Sequence, residues 1–189
     1  MTDDRQRWNA RYRAGSHQGS APAAFVVEAA EQRPAPGRVL DVAGGAGRNA
    51  VFLAERGFEV TLVDVADAAI ERAGERAATA GVSLDLLRRD LEAEPLPSGP
   101  WDVILCFHYL HRPLFAAFAR ELAPGGQLWL CQPTAVNLER HERPSRRFVL
   151  EAGEARRLAE EAGLEVVRLD QDWSTEGRHE ARLVALKPG

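Results

Sequence analysis

The chain has 189 residues, 45% of them hydrophobic, which suits one globular domain with a substantial core and leaves no room for a second catalytic domain. Its net charge is −4 and its arginines are scattered among glutamates, so the basic footprint of a nucleic-acid binder is missing and no nucleic-acid partner is expected. No apolar run reaches the ~20 residues of a membrane span, and MTDDRQRWNARYR at the start holds no apolar stretch of signal-peptide length; a cytoplasmic protein without a membrane partner is expected.

Asp3 to Arg13 is charged and reads as a helix with Trp8 and Tyr12 four apart on one face. The two aromatics either staple a surface helix to the domain or form the closing face of a lid over a ligand. Gly15 to Pro22 is a loop of Gly, Ser, His and Gln. Ala23 to Gln32 has a helical pattern carried by Phe25, Val26, Ala29 and Ala30, and is ended by Pro34, Pro36 and Gly37. There follows RVLDVAGGAGRNAVFLA, Arg38 to Ala54: a strand through Asp41, a turn from Ala43 to Gly47 built only of alanine and glycine, and an amphipathic helix carrying Val51, Phe52 and Leu53. The missing side chains let a ligand approach the backbone, and the N–H groups opening the helix face it with the positive end of the dipole. A small anionic or nucleotide-like ligand is expected there.

Beyond Gly57 the pattern is regular. Glu59 to Val63 is a strand ending in Asp64, Ala66 to Ala80 an alanine-rich helix stopped by Gly81, and Val82 to Leu87 a third strand delivering Arg88, Arg89 and Asp90 to a loop. Trp101 to Phe107 is continuously apolar, as a strand covered on both faces should be. Arg112 to Leu122 makes a helix, Pro124 to Gly126 a turn, and Gln127 to Cys131 a fifth strand. Gln132 to Phe148, rich in Arg and holding His141, has the composition of a flap. Glu151 to Glu161 is a helix stopped by Gly163, and Leu164 to Leu169 with His179 to Lys187 closes the chain as an antiparallel β-hairpin around Gly177. Strands alternating with helices predict an open, doubly wound, mostly parallel α/β sheet.

Such sheets bind ligands outside the carboxyl ends of their strands. Asp41, Asp64 and Asp90 all fall there, where Asp also serves in capping and turns. Gly45, Gly47 and Ala50 formally satisfy a dinucleotide fingerprint, with Asp64 near the position of its ribose-binding acid. Asp41, placed directly before the turn, argues otherwise, since it would repel a pyrophosphate and attract a ligand ammonium. Cys106 and Cys131 lie in apolar strands and read as buried reduced thiols.

The run DVAGGAGRNAVFLAERGFEVTLVDV, followed by Asp90-Leu91 and FHYLHRPLF, resembles the class I S-adenosylmethionine-dependent methyltransferases, in particular the small bacterial tellurite-resistance type. The resemblance covers nearly the whole chain and implies a Rossmann-like seven-stranded sheet over 37–189, with 1–36 as an N-terminal helical lid or cap. It implies that Asp41 and the backbone of Ala43, Gly44 and Gly45 hold the methionine part of S-adenosylmethionine, whose product is S-adenosylhomocysteine, and that Gly47 and Asn49 are also cofactor-binding. Asp64 would take the ribose hydroxyls, Val65 the adenine face and Asp90 the adenine amino group, with Leu91 adjoining and Cys106 and Phe107 flooring the sulfonium. Ala43 stands where many such enzymes have glycine, which is tolerable if its φ is negative.

Methyl transfer then needs an aligned acceptor more than a general base. His108, His111 and Arg112 are the catalytic candidates, and Tyr12, Tyr109, Arg147, Trp173, Arg178 and His179 the substrate-binding ones. The surplus of Arg and His favours a small anionic or soft acceptor: an oxyanion, thiolate or carboxylate. His108 and His111 alone do not make a metal set, so no metal is expected. A non-catalytic module binding the same cofactor is the alternative. A nicotinamide-dependent reductase is a weaker one, because the only lysine is Lys187. A monomer or homodimer is expected.

Overall fold

The computed structural model describes residues 2–15, 19, 21–33 and 35–189. Ser16, His17, Gln18 and Ser20 of the expected loop, and Pro34 of the expected helix stop, lie outside the described residues. The chain divides into two compact units, 1–97 and 98–189.

The first unit runs α1 (Thr2–Arg13), α2 (Ala24–Glu31), β1 (Arg38–Val42), α3 (Arg48–Ala54), β2 (Glu59–Asp64), α4 (Asp67–Ala80) and β3 (Asp85–Arg88). β1 and β2 pair in parallel from Arg38↔Glu59 to Val42↔Val63, and β3 adds in parallel to β2. Val39, Leu40, Val42, Leu62 and Val63 have no appreciable exposure, so β1 and β2 are central strands and their hydrophobicity is continuous. The third strand begins three residues later than the sequence suggests. Gly81 closes α4 in the left-handed region (φ 70°), and the Val82 N–H goes back to the Ala77 carbonyl at 3.0 Å, so Val82 completes the helix stop instead of opening the strand.

α1 is fastened to α4 by polar side chains. Asn9 Oδ1 accepts from the Ala68 N–H (2.9 Å), one of the orphan donors at the start of α4, while its amide donates to Asp67 (3.1 Å). Arg5 also pairs with Asp67 at 2.8 Å. Tyr12 packs among Ala46, Ala66, Ala68 and Ala69 with Trp8 beside it.

The second unit runs β4 (Trp101–Phe107), α5 (Leu114–Glu121), β5 (Leu122–Pro133), α6 (Glu154–Glu161), β6 (Glu165–Trp173) and β7 (His179–Leu186). β4 and β5 are parallel, β7 is antiparallel to both β5 and β6, and the last two form the expected hairpin. α5 starts at Leu114 instead of Arg112: Pro113 is its N-cap, and Arg112 and Pro113 form a turn closed by the Leu114 N–H on the His111 carbonyl (3.0 Å). α6 starts at Glu154, since Gly153 is left-handed at φ 73°. The expected turn at Pro124 to Gly126 is absorbed into β5: Gly125 donates to Lys187 O (2.9 Å), Lys187 donates to Gly126 O (2.8 Å), and the β4–β5 register jumps between Trp101 and Val103. The expected flap departs from expectation only at its start, where Gln132, Thr134 and Asn137 are buried; 139–143 and 145–147 are exposed. The strands order as β3-β2-β1 in the first unit and β4-β5-β7-β6 in the second, seven strands of a mostly parallel α/β sheet. Among the described residues no helix is long and apolar enough to cross a membrane.

Asn9→Ala removes both the cap on α4 and the bond to Asp67, and should cost about 1 kcal/mol. Hydrogen exchange should then quicken in the amides of α1 before those of β1 or β2; unchanged protection would mean that aromatic packing alone holds α1.

Candidate functional site

At the end of β1 the chain enters a buried acidic turn. Asp41 is 1% exposed, and its Oδ2 has no hydrogen-bond partner among the described residues. Gly44 lies directly against it: a Cβ there would sit 2.7 Å from that same oxygen and 2.7 Å from Leu62 Cγ, so no larger residue fits. Gly45 follows with φ 58°, and the Tyr12 hydroxyl covers the place its Cβ would take. Ala43 is also left-handed, at φ 52°. The condition under which alanine would be free of strain, a negative φ, is therefore not met; the turn keeps the glycine-type conformation and an alanine bears the strain, of order 1–2 kcal/mol.

Asp64, from the end of β2, closes the turn from the other side. Its Oδ2 accepts from the Gly45 N–H (3.0 Å) and its Oδ1 from the Ala66 N–H (2.9 Å). It thus shapes two turns, the bland duty of an Asp, while staying 7% exposed. Burial pushes its pKa upward against those backbone donors. For Asp41, burial first and the Asp64 charge second raise the pKa to about 8, with Arg48 opposing. Burial likewise raises the Tyr12 phenol, with the charges of Asp64 and Asp41 adding. An unpartnered acceptor beneath a glycine turn fits a cationic group such as a ligand ammonium. The expected anion at a helix start fits less well, since α3 has only seven residues.

Other expected cofactor residues have visible structural duties. Gly47, φ 75°, faces α4, where a Cβ would meet that of Ala73 at 3.0 Å. Asn49 is buried and its Oδ1 accepts from the Ala23 N–H (2.9 Å), bracing α2. Val65 is half-buried and Leu91 buried. Asp90 is half-buried; its N–H donates to Glu94 (3.0 Å) and its Oδ1 accepts from Glu92 N–H (3.1 Å).

In the second unit the Cys106 thiol donates to the Tyr109 carbonyl (3.2 Å), which also accepts from Gln132 Nε2 (2.7 Å). Phe107 and Tyr109 are half-buried. His108 is left-handed (φ 54°), its N–H bonded to Cys131 O (2.9 Å) and its Nε2 2.7 Å from Glu180 Oε1. Burial alone would raise Glu180, but the hydrogen bond and charge of His108 hold its carboxyl below the usual value. Cys131 Sγ donates to the other Glu180 oxygen at 3.5 Å. The donor atoms of His108, Cys131 and Glu180 all lie within 4.8 Å of one another. His111, half-buried, is not in this group; its carbonyl accepts from the Leu114 N–H at the start of α5.

Arg112 is not poised for an acceptor, and its expected catalytic role is corrected. Four of its five donors are engaged: two by the Glu154 carboxylate (2.7 and 3.0 Å) and two by the carbonyls of Arg147 and Val149. It staples the segment before α6. The Arg147 guanidinium is exposed, 4.3 Å over Phe148. Trp173 lies under Arg140 (3.9 Å) with His179 edge-on at 5.4 Å. His179 Nδ1 bonds Thr134 (2.7 Å), His141 bonds Gly177 O (2.7 Å), and Arg178 pairs with Glu176 (3.2 Å). Sequence reading missed Asn9, Glu154 and Glu180. None of the three carried a local signal: Glu180 shares its strand with His179 and Arg182.

Because the folded pKa of Asp41 is raised, the stability it contributes is present below its ordinary value near 4 and is lost as pH climbs to about 8. Asp41→Asn should abolish that slope and melt above the parent at pH 8, by on the order of 1–3 kcal/mol. Parallel stability–pH curves for the two proteins would contradict the assignment.

Residues 39–126 match the family described as "Methyltransferase domain". A tRNA 5-carboxymethoxyuridine methyltransferase of Escherichia coli K12 is 35% identical over 120 residues, covering 59% of this chain and 46% of that protein. The chain spans about half the length of the curated relatives it matches. Among solved structures, TehB from Haemophilus influenzae superposes with a TM-score of 0.76 at 19% identity, over 94% of this chain and 66% of that one. The magnesium protoporphyrin IX methyltransferase ChlM from Synechocystis PCC 6803, with bound SAH, gives 0.77 at 17% identity, over 98% and 99%. Residues 39–126 thus match a methyltransferase domain, within a chain that shares the fold of the class I S-adenosylmethionine-dependent methyltransferases.

Proposed function

We propose that this chain transfers a methyl group from S-adenosylmethionine to a small acceptor through an anionic or soft atom. The unpartnered Asp41 Oδ2 beneath the Gly44–Gly45 turn carries the reading, because it is a buried acceptor of the kind a ligand ammonium satisfies. In this reading Asp41 and the turn backbone bind the amino-acid part, Asp64 the ribose hydroxyls, Val65 the adenine face and Asp90 the adenine amino group. When bound, the cofactor supplies an electrophilic methyl on a sulfonium. The chain's own part is to orient the acceptor and to exclude water. Residues 1–36 act as a cap, with Tyr12 over Gly45 as its inner contact and Asn9 as its fastening.

The acceptor assignment draws on His108, His111, Tyr109, Trp173 and His179 in the second unit. Arg112 and Arg178 already have carboxylate partners, so bulk positive charge supports it less than the imidazoles do. The E. coli relative is named for a carboxymethoxyuridine in tRNA, which makes a carboxylate-bearing nucleoside a second acceptor class to test.

Ammonium capture requires ionised Asp41, so cofactor affinity should rise with pH up to about 8, and Asp41→Asn should flatten that dependence. Asp64→Ala should weaken binding by roughly 1–3 kcal/mol; unchanged affinity would sink the ribose assignment. An acceptor panel of thiols, carboxylates, oxyanions, neutral amines and carboxymethoxyuridine tRNA should show turnover on the thiol or acidic small molecules. Equal turnover on neutral compounds, or turnover on tRNA alone, would overturn the acceptor class.

A further inference from the structure

We propose that His108 Nε2, Cys131 Sγ and the Glu180 carboxylate form a binding site for one divalent cation of the zinc class. Among the described residues this is the one gathering of three or more His, Cys, Asp or Glu donors. No spacing rule could find it, because the ligands come from the end of β4, from β5 and from the start of β7. The fold aligns them. The antiparallel register sets Pro133 opposite Glu180 and Cys131 opposite Arg182, so Glu180 is the diagonal neighbour of Cys131. The bond from the His108 N–H to Cys131 O then draws the imidazole onto the same pair.

The chemistry of the donors selects the ion. One imidazole, one thiol and one carboxylate suit zinc or its close neighbours, whereas calcium and magnesium want oxygen alone. Tetrahedral bonds of about 2.0–2.3 Å place ligand atoms roughly 3.3–3.6 Å apart. Cys131 Sγ lies 3.5 Å from Glu180 Oε2, which already meets that, while His108 Nε2 lies 2.7 Å from the other oxygen, Oε1, and that contact has to open by about 0.6 Å for the ion to enter between them. Cys131 and Glu180 are buried while the His108 side chain is 30% exposed, so the cation is reached from the imidazole side. His108 holds a left-handed backbone that costs a non-glycine residue about 1 kcal/mol or more, a strain of the kind found at ligand sites. On binding, the Cys131 thiol gives its proton to solvent and coordinates as thiolate, and three protein ligands leave a fourth position open. That position suits a thiolate acceptor, a use that rests on the methyltransferase reading; cation binding does not.

Full-length protein loaded with Zn²⁺ should retain one equivalent through dialysis against a weak chelator. Co²⁺ in its place should give intense visible bands of tetrahedral cobalt and a near-ultraviolet thiolate charge-transfer band. Cys131→Ser should remove the charge-transfer band. His108→Ala and Glu180→Gln should lower Zn²⁺ affinity about tenfold or more, and His141→Ala should leave it unchanged. Circular dichroism checks that each variant folds, and the half-exposed His108 keeps the test available should Cys131→Ser unfold. Failure to retain a cation, cobalt bound without the charge-transfer band, or full affinity in His108→Ala would overturn the site. S-adenosylmethionine binding to the metal-free protein separates the two claims: if it binds and no cation does, this inference alone falls.

Discussion

Two carboxyl groups buried around one glycine turn set the terms for the first half of the molecule. Asp64 reaches back nineteen residues to hold the Gly45 N–H, and Asp41 lies under Gly44 with an oxygen that nothing satisfies. Burial raises the cost of ionising Asp41, and the charge of Asp64 raises it further. A fold seeking stability alone would replace Asp41 with an apolar residue. Keeping it makes sense if a cation completes the turn, and the parallel strands, the close approach of Leu62 and the docking of Tyr12 all follow from building that turn tightly.

The same economy runs through the second half, where charge is spent inward. Arg112 is consumed by Glu154 and two carbonyls, and His108 by Glu180. A basic composition near the strand ends therefore does not amount to a basic surface. The His108–Glu180 pair itself gathers Cys131 into a group of nitrogen, oxygen and sulfur donors that all lie within 4.8 Å of one another. The acceptor chemistry of the chain is better sought in those donors than in net charge.

Much of the fold was legible in the sequence because periodicity reports burial directly. Trp101 to Phe107 matches its strand residue for residue, and Gly81 and Gly57 mark where helix yields to strand. The misreadings occur where a backbone rule outweighs the pattern: Pro113 delays α5, Gly153 delays α6, and Val82 is taken by the close of α4. The tightness of the turn was legible because it lacks side chains. Its conformation at Ala43 was not, since an alanine gives no sign that it has been forced to φ 52°. Asn9, Glu154 and Glu180 act through partners 42 to 72 residues away, and pairings of that range have no local signature.

The most direct measurement is calorimetric titration of the purified protein with S-adenosylmethionine, S-adenosylhomocysteine and NADH in parallel. The account predicts micromolar binding of the first two, weakened in Asp64→Ala and flattened with pH in Asp41→Asn, and none of NADH. Binding of NADH alone, or of none of the three, would contradict it.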